Sequence, residues 1–232
     1  MTSSAQISAG IRAALRDRAD TWRFLSEFAA DWRAPLRAED GFADADLDEA
    51  ERRLGVALPA ALREAYLRFG RRDDLVRNQD RLELPDGLYV HEGALVYQTE
   101  NQGAAQWGVL LDDVGAADPP TFYRASLADR SAERWEPWTQ RLSVALLELF
   151  MAETALYEAD RLSDAGELIG PLPEEFEPLP AIVPERFDSV WFAGDDLLAH
   201  VQSGYWLTVR ARSPQALDDL REALPLEWVC AM

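Results

Sequence analysis

Lysine is absent from this 232-residue chain, and all 23 basic residues are arginine. That usage reads as the codon bias of a GC-rich genome rather than as a chemical demand for guanidinium groups. Cysteine occurs once, at Cys230, which excludes an internal disulfide framework and fits a reducing compartment. No basic residue neighbours that thiol to activate it. The first residues, Met-Thr-Ser-Ser-Ala-Gln, lack the basic and apolar segments of a secretory leader, and no apolar run approaches the length of a membrane span. The expectation is a cytoplasmic protein that does not engage a membrane.

The chemistry-bearing motifs are missing as well. Only two histidines are present, His91 and His200. Neither accompanies a Gly-x-Ser-x-Gly elbow, so both read as surface or satisfied core residues of strands rather than catalytic bases. There is no His-Glu-x-x-His or Cys-x-x-Cys pair for a metal, and no phosphate-binding glycine loop. Asp112, Asp113 and Asp118 lack the spacing of a calcium loop. The doublets Asp112-Asp113, Asp195-Asp196 and Asp218-Asp219 supply paired carboxylates, but neighbours on a strand point to opposite faces and rarely converge on one substrate. No cofactor and no metal is expected, and the chain is not read as an enzyme.

Positive charge is scarce in one half. Residues 1–81 hold 15 acids and 14 arginines, whereas residues 82–232 hold 27 acids and 9 arginines, so the net charge of −19 divides as −1 and −18. From Leu82 to Tyr123 there are seven acids and no arginine. Direct nucleic-acid binding requires a basic footprint, and this pattern is its reverse. An acidic surface steers a basic partner instead.

What remains is 48% apolar residues, 10% aromatics and eight tryptophans, ample for a core. Apolar positions three, four and seven apart predict an amphipathic helix over 5–30. A second helix is predicted over Asp44–Leu54, with Asp46 and Glu49 in the form of a capping box and Gly55 closing it. Pro59 opens a third helix, which Gly70 ends. Residues 71–81 read as a loop. Between Leu82 and Tyr123 short Leu-, Val-, Tyr- and Trp-rich runs alternate with Gly, Pro, Asn and Asp turns, the pattern of an antiparallel meander. A long helix follows from Trp135 to Asp160. Five prolines between Gly166 and Pro184 predict an extended connection without elements of its own. Strands resume at Ser189–Ala193, Leu197–Gln202 and Tyr205–Ala211, and Ser213-Pro214 starts a last helix. Trp107 and Trp191, in apolar strands, read as core. The fold class is α+β, with a single mixed or mostly antiparallel sheet flanked by helices and an extra N-terminal helix.

Two stretches carry a resemblance. The run from Asp46 to Gly70, with Glu51, Leu54, Gly55, Leu58, Pro59, Tyr66, Phe69 and Gly70, resembles the opening of the SUKH superfamily, which contains a fungal cell-wall assembly regulator and many bacterial immunity proteins. Glu100 to Gly103, Trp107-Gly108 and Asp118-Pro119-Pro120 are similar to the core of a bacterial subgroup. The likeness covers residues 39–232 and leaves 1–38 as an N-terminal helical extension. It implies a non-catalytic α+β domain and, for bacterial members, an antitoxin that blocks a polymorphic toxin. A nuclease toxin, with its basic cleft, suits the acidic charge. A regulatory scaffold of the same superfamily is the alternative. Glu92, Glu100, Asp112, Asp113 and Asp118 are the candidate partner-binding residues.

Overall fold

The computed structural model describes residues 2–224 and 226–229. In chain order its helices are α1 (Ser4–Ala14), α2 (Arg18–Trp32), α3 (Asp44–Leu54), α4 (Ala60–Phe69), α5 (Asp73–Val76), α6 (Leu142–Ala155) and α7 (Pro214–Ala223). Its strands are β1 (Asp80–Leu82), β2 (Tyr89–His91), β3 (Ala94–Glu100), β4 (Ala105–Leu110), β5 (Phe122–Ala125), β6 (Glu136–Pro137), β7 (Ser163–Glu167), β8 (Glu177–Pro178), β9 (Ser189–Ala193), β10 (Leu197–Gln202) and β11 (Trp206–Ala211). The chain packs as two compact units, Pro35–Phe150 and Met1–Ala34 with Met151–Met232. This grouping does not follow the sequence division at residues 38 and 39, because the N-terminal helices join the C-terminal third.

The class is α+β and the strand pairing is antiparallel, but the strands form two sheets rather than one. The first runs β1-β3-β4-β5-β6, with β2 also on β3, and the second runs β7-β11-β10-β9-β8. The first sheet ends where Phe122 and Tyr123 meet Pro137 and Glu136. Pro137 has no N–H to donate, and beyond it the pairing continues through the Trp138 N–H to the Thr121 carbonyl at 2.8 Å and the Thr121 N–H to the Thr139 carbonyl at 3.0 Å.

In the unit Pro35–Phe150, α3 begins two residues earlier than the expected cap. Asp46 is its third residue and accepts the N–H of Ala43 at 3.0 Å, while Glu49 pairs with Arg52. Gly55 ends α3 with φ of 67°, the left-handed conformation open to glycine. Tyr66 and Phe69 of α4 are buried, and the Tyr66 hydroxyl donates to the Glu83 carbonyl. The stretch expected to be a loop holds the short α5 and β1. The long helix starts at Leu142, not near Trp135, because residues 136–137 are taken into the first sheet. From Leu142 to Phe150 every residue of α6 is buried, an apolar helix without an exposed face there. Trp107 is core, as expected, within an aromatic group with Tyr123 and Trp138 at centroid separations of 5.5 and 6.2 Å.

In the other unit, the helix expected over 5–30 is two. Asp17 is extended, and its carboxylate accepts the N–H groups of Ala19 and Asp20, starting α2 afresh. The two helices touch at Gly10, where an added Cβ would lie 2.4 Å from Phe24 Cδ2. Leu217 and Leu220 of α7, with Leu224 just beyond its end, pack on Ala199, Val201, Leu207 and Val209 of the second sheet. Ser213 caps α7 with Pro214 at its first position. The proline-rich stretch is not merely a connection: β8 pairs with β9, and Phe176, Leu179, Ile182 and Val183 are buried. The N–H of Val229 donates to the Ala165 carbonyl on the outer edge of β7, shielding it. Cys230 lies outside the described residues. Among those described, no helix is long and apolar enough to cross a membrane.

Candidate functional site

The five predicted acids do not form one surface. Glu92 and Gly93 make the turn from β2 to β3, and both take positive φ, 47° and 78°. The Gly93 carbonyl accepts the N–H of Leu111, which sets this turn beside Asp112 and Asp113 at the end of β4. Glu92 and Asp112 are exposed, Asp113 is half-buried, and none of these carboxylates makes a hydrogen bond or ion pair among the described residues. Three acids therefore share one rim.

The other two have internal work. Glu100 lies at the opposite end of β3, and its carboxylate accepts the N–H groups of Gln102 and Ala104 at 2.8 and 3.0 Å, and the Gln79 amide at 3.1 Å. It organises the turn closed by Gly103, whose φ is 76°. Asp118 accepts the Ser143 N–H at 2.8 Å and the Ser143 hydroxyl at 2.7 Å, and lies 3.6 Å from Arg141. It serves the first turn of α6, where the helix dipole favours a carboxylate.

A polar cleft on the first sheet was not foreseen. It encloses about 170 Å³ and is lined by His91, Gln106, Arg124, Ser126, Arg130 and Glu133, among others. His91 Nδ1 and Gln106 Oε1 are 2.7 Å apart, and Gln106 Nε2 donates to the Tyr89 hydroxyl at 2.9 Å. A tyrosine hydroxyl both donates and accepts, so the chain is satisfied with either histidine tautomer if the amide turns over. Arg124 pairs with Glu133 at 3.1 Å, and the other Glu133 oxygen accepts the Leu127 N–H. Those contacts hold the Glu133 carboxyl below its usual range, the backbone bond foremost. The one sequence signal for this cleft was that Arg124 is the first basic residue after the acidic stretch.

A second unforeseen pair is Asp80 and Glu100, directly opposite in the β1–β3 register. Burial, then the Glu100 charge, pushes Asp80 up to about 7.

His200 is a core residue. It stacks on Trp191 with ring centroids 3.9 Å apart and planes 5° from parallel, and its Nε2 lies 2.7 Å from Ser189 Oγ. Burial lowers it to about 3, so it is neutral at physiological pH. Arg210 is 1% exposed and serves structure: its guanidinium donates to the Trp32 and Tyr157 carbonyls, to Ser163 Oγ and to both Asp160 oxygens. No group of three or more His, Cys, Asp or Glu side chains placed to hold a metal occurs among the described residues. No family model, curated protein or solved structure matches the chain.

Proposed function

We propose that this chain is a non-enzymatic, cytoplasmic immunity protein of the SUKH type, which binds and neutralises a polymorphic toxin domain with a basic surface. The observation that carries the reading is the rim of Glu92, Asp112 and Asp113. Its carboxylates are left without internal partners among the described residues, while Glu100 and Asp118 beside them in sequence are consumed by turn and helix. Solvated carboxylates cost little to leave exposed and are available to a basic partner. The unbalanced charge of residues 82–232 points the same way, since a field of one sign accelerates encounter with the opposite sign. A nuclease is the favoured toxin class because its substrate cleft must be basic.

The test is co-expression with the toxin-like product of the adjacent gene. Growth should be rescued, and the two proteins should co-purify as a complex weakened by salt. Absence of rescue and of co-purification with any basic neighbour overturns the proposal.

A further inference from the structure

We infer that the cleft of His91, Arg124 and Arg130 is a binding site for one small oxyanion, a carboxylate or a phosphate. The inference rests on donors left over after internal pairing. Arg124 has a side chain only 12% exposed, and its guanidinium donates one N–H, to Glu133. The rest of its donor fork has no protein partner among the described residues. None of those nitrogens is sealed from space, since Arg124 is absent from the buried unpartnered groups. A half-desolvated guanidinium with spare donors favours a planar or tetrahedral oxyanion.

The remaining lining points the same way. Arg130 is exposed and makes no ion pair among the described residues. Glu133, the one carboxylate of the lining, has both oxygens engaged by Arg124 and the Leu127 N–H. Asp129, next to Arg130 in sequence, is spent on the N–H and hydroxyl of Ser131. Two guanidiniums against one carboxylate leave the lining positive on a protein of net charge −19. Distant carboxylates oppose an anion only weakly, because salt screens them beyond about 8 Å. His91 adapts to the guest, since the turn of Gln106 allows its ring to donate or to accept.

Size limits the ligand. A cleft of about 170 Å³ is close to a cavity of about 150 Å³ that holds benzene. It admits inorganic phosphate or a small carboxylic acid.

Isotope-labelled protein is titrated with inorganic phosphate and, separately, with acetate, at constant ionic strength and pH 7. The expected result is a saturable one-site shift of the Arg124 side-chain Nε resonance and the amides of Ala125 and Ser126. Arg130→Gln, at an exposed position that folding does not use, should weaken binding about tenfold, the loss of one charge-assisted contact. Arg124→Gln should abolish it. Saturation by phosphate alone assigns a tetrahedral guest, and saturation by acetate alone a carboxylate. Absence of saturation by either anion overturns the inference, as does binding unchanged in Arg130→Gln.

Discussion

Asp80 and Glu100 face one another across the β1–β3 ladder, one of them raised to about 7 by burial and by the other's charge. Like charges directly opposite on a sheet destabilise it, and the Gln98 amide donates to Asp80 across a long 3.4 Å. The folded pKa of Asp80 lies above its ordinary value of 3.8. The native state therefore holds the proton more tightly than the unfolded state does. Stability from this group is complete below pH 4 and is lost as pH rises to about 7. A shift of this size corresponds to about 4 kcal/mol. Asp80→Asn should raise the urea midpoint of the unit Pro35–Phe150 at pH 8 and leave it nearly unchanged at pH 4.

His200 gives the opposite slope in the other unit. Its folded pKa of about 3 lies below the ordinary 6.5. Between those values the unfolded state binds the extra proton, so stability is complete above pH 6.5 and falls as pH drops towards 3. His200→Gln should be less stable than wild type at pH 8, where the Trp191 stack is lost, and should flatten the acid limb. Thermal melts at pH 4 and pH 8 measure both effects.

Arg210→Met should cost about 3–5 kcal/mol, the range for removing one partner of a buried pair. The Trp32 and Tyr157 carbonyls lose their donor and Asp160 keeps Arg33 and the Leu162 N–H. Arg210→Lys should recover little, since one ammonium cannot span Trp32, Ser163 and Asp160 together. Urea denaturation of both variants, with Asp160→Asn completing a double-mutant cycle, reads the coupling.

The predicted acids separate by role. Asp118→Ala should lower stability by about 1 kcal/mol, the usual cost of removing a helix N-terminal acceptor. Asp112→Ala should change it by no more than about 0.5 kcal/mol, as expected at a surface position. Equal effects on thermal stability would contradict the assignment of Asp118 to α6.

These roles show where the sequence was informative. Gly55, Ser213 and Pro214 act where local chemistry placed them, and Pro59 falls one position earlier, at the N-cap of α4, because caps and fixed φ are local properties. The α1–α2 break at Asp17 was hidden by apolar spacing that continues unbroken on both sides. The two-sheet division depends on which strands pair, and strand partners are non-local. The same reason concealed the site. Glu92 and Asp112 are joined through Leu111 and Gly93, while Glu100 and Asp118 are withdrawn by amides and a serine that composition cannot connect to them. The Arg124 cleft was illegible because its members come from β2, β4, β5 and the loop beyond.

The proposed contact is between the Glu92, Asp112 and Asp113 rim and a basic toxin. The most direct measurement is the association rate with the neighbouring toxin domain as ionic strength varies, for wild type and for Glu92→Lys/Asp112→Lys/Asp113→Lys. Wild type should associate quickly with a steep fall in salt, and the triple variant about tenfold or more slowly with a shallow one. Rates and salt slopes that coincide would contradict it.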